Sequence, residues 1–326
     1  MTSVNRRVVP VLLAAALAVV LPDHALAQAQ STGILLLAHG GRPEWNARVE
    51  AVAQAVDADQ PTEVAFGMAT RANIQGAIDR LVARKVTSIV AVPLFVSSYS
   101  SVMTSTEYLL GLRTDQPREL ALFARMSHGP QGHGAAAAAP ATPAAGHDAH
   151  AGHHTPAAAV DGTTPVVSPV PIRMTAALNS HPYVRAIAVD RARSISTAPA
   201  SEVVVLVAHG PVPDDDNARW LKELGVIADG IKAAAPYAAV EYLTVRDDAP
   251  KPLRDAAAAE LRSVVERHSA QGRRVLIVPI LLSFGGIEQG VRARLEGLPY
   301  TMADRGLMPD PRIEQWIRAM AASSPH

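Results

Sequence analysis

The sequence predicts an α/β fold made of two similar parallel-sheet domains that arose from an internal duplication. Short apolar runs alternate with segments of helical periodicity, and the order of these elements occurs twice. Short motifs also recur at matching places in the two copies. They are AHG (38–40 and 208–210), NAR (46–48 and 217–219), and VPLF with VPIL (92–95 and 278–281).

The first copy opens with GILLLAHGG, an apolar run that is too short for an ordinary helix and suits a strand buried on both faces. The next segment spaces Trp45, Val49, Val52 and Val56 at helical intervals. Further strands are predicted near TEVAFGMA and TSIVAVPLFVS, with helices at NIQGAIDRLVARK and SVMTSTEYLLG. This βαβαβα order predicts a parallel sheet with helices on both faces.

The second copy repeats the order after Ser201. Its predicted strands are EVVVLVAHG, AAVEYLTVR and RRVLIVPILLSF, and its helices are NARWLKELGVIADGIKAA, KPLRDAAAAELRSVVERHSA and GIEQGVRARLEGL. We therefore expect the first repeat to occupy residues 33–195 and the second to occupy residues 201–322.

Residues 128–170 are rich in Ala, Pro, Gly and His and contain few large apolar side chains, which predicts a disordered segment. The residues after it resemble the end of the second copy, so the segment is predicted to be an insertion late in the first repeat. We expect weak auxiliary metal binding by His147, His150, His153 and His154. A low-complexity spacer that happens to contain histidine is the alternative.

The N-terminus predicts a cleaved signal peptide over residues 1–27. Arg6 and Arg7 precede an apolar stretch, and Ala25 and Ala27 have the spacing of a signal-peptidase site. We therefore expect a periplasmic or secreted protein with no stable membrane insertion after cleavage. An uncleaved anchor is the alternative, although the apolar stretch is shorter than the roughly 20 residues of a spanning helix.

Composition excludes several classes of function. Lys and Arg together number 30, as do Asp and Glu, which argues against a nucleic-acid partner. The chain has no cysteine, so disulfides, iron–sulfur clusters and thiolate metal sites are excluded. No GxxxxGK[ST] motif is present, and we predict no organic cofactor or nucleotide.

His39 and His209 are the strongest candidates for chemistry. Each follows the first strand of its repeat and precedes a glycine, and ligands of parallel sheets bind at the carboxyl ends of strands. If the repeats pack as pseudo-twofold mates, the two imidazoles face one cleft, where they can act as bases or as metal ligands. The alternative is a pair of histidines that only stabilise turns.

The segments GILLLAHGGRPEWNARVEAVAQAV, VPLFVSSYSSV and NSHPYV resemble the class II chelatases, the sirohydrochlorin cobalt- and ferrochelatases, in their long two-repeat form. The resemblance implies a flavodoxin-like, chelatase-type fold for each repeat. It also implies insertion of a divalent metal substrate into sirohydrochlorin or a related tetrapyrrole. Co²⁺ is the first candidate, and Fe²⁺ and Ni²⁺ are alternatives.

In that family, histidines bind the metal and accept the pyrrole protons. This role transfers to His39, with His209 as its mate in the second repeat. The second histidine of the family does not transfer, because Ser101 and Ile287 occupy its two equivalent positions, with Tyr99 near the first. A nearby glutamate is a substitute ligand, and the candidates are Glu107 and Glu288.

Sirohydrochlorin carries many carboxylates, so its site should offer positive charge and hydroxyl donors. The predicted substrate-binding residues follow predicted strands and are Arg42, Arg71, Ser98, Ser101 and Arg246. Two fused repeats supply both halves of such a site, which makes a monomer possible.

Two other classes of function remain open. The export signal and the missing second histidine favour an exported metal- or tetrapyrrole-binding protein without chelatase activity. A protein that buffers metal and has a vestigial cleft is the third interpretation.

Overall fold

The computed structural model describes residues 31–127 and 162–323. The predicted signal peptide and the tract histidines His147, His150, His153 and His154 lie outside these residues. Within the two described ranges, no helix is long and apolar enough to cross a membrane.

The first sheet has four parallel strands in the order β2-β1-β3-β4. Its strands are β1 (Thr32–Ala38), β2 (Thr62–Phe66), β3 (Ser88–Pro93) and β4 (Ile172–Met174). Because β4 follows the inserted tract and pairs with β3, the chain returns to the first sheet after the tract.

The second sheet has the same strand order, β6-β5-β7-β8, and is also parallel throughout. Its strands are β5 (Glu202–Ala208), β6 (Ala239–Thr244), β7 (Arg274–Ile280) and β8 (Thr301–Met302). The two sheets confirm the predicted fold class.

Nine α-helices connect the strands in the described residues. In the first half they are α1 (Pro43–Asp57), α2 (Arg71–Ala83), α3 (Ser101–Leu109), α4 (Leu120–Ser127) and α5 (Pro182–Ile195). In the second half they are α6 (Asp214–Ala234), α7 (Lys251–Ala270), α8 (Ile287–Arg294) and α9 (Pro311–Ala322).

The first strand of each half is buried on both faces, as its continuous apolar run predicts. Ile34 and Leu36 face one core and Leu35 and Leu37 face another, because successive strand residues point to opposite sides. The first of these cores also contains residues of β5 and β7, so the inner faces of both sheets contribute to one shared core.

The last helix of each half packs against the other half. Helix α5 contacts β7 and α6, whereas α9 contacts β3 and α1. Trp316 of α9 is fully buried in the shared core. This exchange joins the two halves, and the described residues form one compact unit.

Residues 162–170, the end of the segment predicted to be disordered, are held on the first half. The Arg71 guanidinium donates to the main-chain oxygens of Thr164 and Pro165 at 2.9 and 3.2 Å. The Gln75 amide donates to the Val167 oxygen and accepts from the Val167 nitrogen, both at 2.8 Å. The predicted disorder therefore does not extend to these nine residues, because their main-chain groups have partners.

Candidate functional site

His39 and His209 occupy equivalent places, each directly after the central strand that begins its sheet in sequence. The glycine after each has a positive φ, +78° at Gly40 and +76° at Gly210. This conformation favours glycine and turns the chain sharply out of the strand. The local sequence therefore places each imidazole at the carboxyl end of its sheet.

The His39 side chain is exposed, and its Nδ1 lies 2.6 Å from the Gly40 carbonyl oxygen. A carbonyl oxygen only accepts hydrogen bonds, so Nδ1 carries the hydrogen in this contact. In the neutral ring, Nε2 then holds the lone pair and can bind a metal or accept a proton.

His209 lies in a different environment. Its side chain is 27% exposed, and its Nε2 is 3.5 Å from Oδ2 of Asp248. The His209 main-chain oxygen accepts a hydrogen bond from the Arg246 nitrogen at 2.6 Å. The second histidine thus has a carboxylate neighbour, whereas no Asp or Glu pairs with His39 in the described part of the chain.

Two reciprocal contacts join the carboxyl ends of the sheets. Arg48 of α1 donates from Nη1 to Ser283 Oγ, in the loop after β7, at 2.8 Å. Trp220 of α6 donates from Nε1 to the Tyr99 carbonyl oxygen, in the loop after β3, at 2.7 Å. In both contacts, the helix that follows the histidine of one half (α1 or α6) contacts the loop after the third strand of the other half (β7 or β3). The carboxyl ends of the two sheets, which carry His39 and His209, are therefore joined by contacts between the halves.

The positions of the absent family histidine are equivalent in the structure too. Ser101 begins α3 and Ile287 begins α8, each after the loop that follows the third strand. The neighbouring Glu288 is buried, and its Oε2 accepts hydrogen bonds from the Gly285 and Gly286 nitrogens at 3.1 and 2.9 Å. Its carboxylate holds this turn, and its role as a substitute ligand stays a prediction.

The three predicted arginines differ in their availability. Arg71 holds the segment after the tract, as described above. Arg246 is mostly buried and donates to the Pro211 oxygen at 3.2 Å while forming an ion pair with Asp214 at 2.7 Å. Arg42 is exposed, and its side chain has no hydrogen-bond or ion-pair partner among residues 31–127 and 162–323. Their roles in substrate binding stay predictions, and Arg42 is the one whose donors are available.

Ser98 and Glu107 line a groove of about 490 Å³ between α3 and the residues that follow β4. Ser98 Oγ accepts hydrogen bonds from the Ala177 nitrogen and the Asn179 amide at 2.9 and 3.0 Å, so it joins the loops after β3 and β4. Glu107 lies 3.7 Å from Arg113.

His181 of the NSHPYV segment caps helix α5, because its Nδ1 accepts a hydrogen bond from the Tyr183 nitrogen at 3.2 Å. Burial lowers the pKa of His181, and the nearby Arg185 lowers it further. The neutral ring is the form that can accept this bond, so the environment favours the capping role.

The described residues contain no group of three or more His, Asp or Glu side chains placed to hold a metal ion. Arg48, Trp220 and Asp248 were not among the residues predicted from the sequence. The repeated NAR motif was the available signal for Arg48.

Residues 33–125 match the family model CbiX. The matched range runs from β1 into α4 and includes His39. For this range it confirms the predicted resemblance to the class II chelatases.

Two solved structures support the fold. SirB from Bacillus subtilis, in a structure with Fe³⁺, is 16% identical and aligns over 90% of this chain and 96% of its own, with a TM-score of 0.53. DR2241 from Deinococcus radiodurans, a multi-domain protein with structural similarity to chelatases, is 17% identical over 91% of this chain, with a TM-score of 0.50. The alignment spans 56% of DR2241. No curated protein matches the chain in sequence.

Proposed function

We propose that this protein inserts a divalent metal ion into sirohydrochlorin or a related tetrapyrrole, with Co²⁺ as the first candidate substrate and Fe²⁺ or Ni²⁺ as alternatives. The observation that carries the proposal is a histidine at the same strand end in both halves, at the carboxyl ends that the Arg48 and Trp220 contacts join. The CbiX match of the range that contains His39 supports it.

Metal insertion needs a ligand for the ion and an acceptor for the two protons that leave the pyrrole nitrogens. In this proposal, His39 supplies these functions in turn: it binds the ion first and, once the ion has passed to the macrocycle, accepts one of the two protons, while the other goes to His209. The His39 Nδ1 is engaged by the Gly40 carbonyl, which leaves Nε2 to bind the ion or to take a proton. His209 performs the matching role from the second half.

The carboxylates of the macrocycle need positive partners. Arg42 directly precedes α1, three residues after His39, and its guanidinium is exposed with its donors available. Arginine can bind a carboxylate through two parallel hydrogen bonds, which fixes both position and orientation. We therefore assign the first carboxylate contact to Arg42.

The proposal is tested by following the visible spectrum of sirohydrochlorin with Co²⁺, against the rate without protein. We expect acceleration by the full protein and its loss in His39→Ala and in His209→Ala. His268→Gln is the matched control. His268 lies in the last turn of α7 beside Glu241 and Arg273, at the amino end of the strands and away from the strand ends that carry His39 and His209. Equal rates with and without the protein would contradict the proposal.

We extend the proposal to the inserted tract, whose histidines would collect exchangeable metal for the site. Deletion of residues 128–160 should then slow insertion when Co²⁺ is limiting and leave the rate unchanged when Co²⁺ is in excess. An unchanged rate at limiting Co²⁺ would contradict this role.

The second candidate function is an exported protein that binds metal or a metallated tetrapyrrole without catalysing insertion. Ser101 and Ile287, at the two positions of the absent histidine, favour this candidate because neither side chain is a ready base. Tight binding of sirohydrochlorin without faster insertion would distinguish it from the chelatase.

A further inference from the structure

We infer that the tetrapyrrole of this protein carries its carboxylates on one edge of the ring, as a dicarboxylate porphyrin does, and that Arg42 and Val212 select it. The inference rests on the proposed function, because it takes a tetrapyrrole as the ligand and chooses among the macrocycles which that proposal allows. Its readout is binding of the metal-free macrocycle, so it can be tested separately from insertion.

The two strand-end histidines have different neighbours at one equivalent position. Arg42 and Val212 each lie three residues after the histidine of their half and directly before a proline. Arg42 is exposed, and its side chain has no partner in the described residues. Val212 is 42% exposed, and Arg246 donates to its main-chain oxygen, which fixes the segment. The first half therefore offers a guanidinium where the second half offers an apolar side chain.

The other basic side chains near these strand ends already have partners. Segments 39–48, 67–71, 209–219 and 245–251 all lie in the described chain and contain six Lys and Arg residues. Five of the six have partners, and the pairs are Arg48 with Ser283, Arg71 with Thr164, Arg219 with Asp216, Arg246 with Asp214, and Lys251 with Asp255. Arg42 is the sixth, so these segments offer one available guanidinium to the carboxylates of a ligand.

The second half presents negative charge at its strand ends. Its two segments contain five aspartates and three basic residues, whereas those of the first half contain three arginines and one glutamate. Asp215 is exposed and has no partner in the described ranges, and Asp248 is 76% exposed with His209 as its neighbour. Carboxylates of a ligand are therefore attracted by the first half and repelled by the second.

The placement of the carboxylates distinguishes two classes of macrocycle. A dicarboxylate porphyrin has its acidic side chains on adjacent pyrroles, and its opposite edge is apolar. An octacarboxylate macrocycle, such as sirohydrochlorin or uroporphyrin, has acidic side chains on every pyrrole and cannot turn an uncharged edge to the second half. Only the dicarboxylate can place its acids at Arg42 and its apolar edge at Val212. The inference thus favours a related tetrapyrrole over sirohydrochlorin.

Fluorescence titration with two metal-free porphyrins tests the inference. Mesoporphyrin, which has its carboxylates on one edge, and uroporphyrin, which has them around the whole ring, are each titrated against the full protein. Val212→Arg is the test variant. Val226→Arg is the matched control, because Val226 is 38% exposed in the middle of α6 and receives the same charge away from the strand ends.

We expect the full protein to bind mesoporphyrin at least about tenfold more tightly than uroporphyrin at low salt. Val212→Arg should strengthen uroporphyrin binding about fivefold, and this gain should shrink at high salt, where exposed charges are screened. Val226→Arg should change the affinity for uroporphyrin less than about twofold.

An equal or higher affinity for uroporphyrin, or equal effects of the two variants, would overturn the inference and leave insertion into sirohydrochlorin unaffected. The expected preference without insertion of Co²⁺ into either mesoporphyrin or sirohydrochlorin would refute only the proposed function.

Discussion

Replacing Glu202 with glutamine removes a buried carboxylate from the junction of the two halves. Glu202 begins β5, the strand that directly precedes His209, and it is fully buried. It accepts hydrogen bonds from Ser196 and from the Thr197 nitrogen at the end of α5, and from Arg274 of β7 at 2.7 Å. The carboxylate thus joins the last helix of the first half to two strands of the second.

The pKa of Glu202 gives the size of the effect. Burial raises this pKa, but the hydrogen bonds from Ser196 and Thr197 and the Arg274 guanidinium outweigh burial and lower it from 4.5 to about 2. Because the pKa is lower in the folded protein, the ionised carboxylate stabilises the fold above pH 4.5, and this stabilisation is lost as the pH falls towards 2. It amounts to about 3 kcal/mol at pH 7 and about 1 kcal/mol at pH 3.

Urea unfolding of the wild type and of Glu202→Gln, measured between pH 7 and pH 3, tests this reasoning. We expect the variant to be less stable by about 3 kcal/mol at pH 7, with the difference narrowing to about 1 kcal/mol at pH 3. Glu296→Gln, at an exposed position, should change the stability by less than about 0.5 kcal/mol. A difference that does not vary with pH would refute the assigned pKa.

Three further predictions concern the core, a turn and the macrocycle contact. Trp316→Ala should lower the free energy of unfolding in urea by about 4 kcal/mol, because it empties the shared core; a loss below about 1 kcal/mol would contradict that placement. Gly210→Ala should cost about 2 kcal/mol more than Gly272→Ala in the same assay. Both glycines have a positive φ, but only at Gly210 would the new Cβ lie 2.5 Å from a β6 side chain. Equal losses of stability in the two variants would show that this steric clash does not contribute. Arg42→Ala should weaken sirohydrochlorin binding about tenfold in a fluorescence titration, and Arg71→Ala should leave it within about twofold. The reverse order would show that the availability of the guanidinium does not decide binding.

Local patterns in the sequence were sufficient to predict the repeated α/β order and the place of both histidines. A strand buried on both faces needs a continuous apolar run, and the turn after it needs a glycine where φ is positive. Both requirements are met within a few neighbouring residues, at Gly33–Gly41 and again at Val203–Gly210. The motif AHG therefore indicated the carboxyl end of the first strand in each sheet.

The exchange of α5 and α9 between the halves could not be predicted in this way. Each helix has one apolar face, and its periodicity does not indicate which sheet that face will cover. Only the packed structure shows that Trp316 fills a core shared with the other half.

The tertiary structure also decided which polar side chains remain available at the strand ends. The sequence suggested Arg71 as a substrate-binding residue and Glu288 as a substitute metal ligand, and in the structure both side chains contact main-chain groups. Asp248 was overlooked, although it lies beside His209, 39 positions earlier in the chain. The sequence by itself thus determined the repeated order of strands and helices and the position of the two imidazoles at the strand ends, because local sterics and burial specify them. The partners of each charged group depend on distances between elements that are far apart in sequence, and only folding sets those distances.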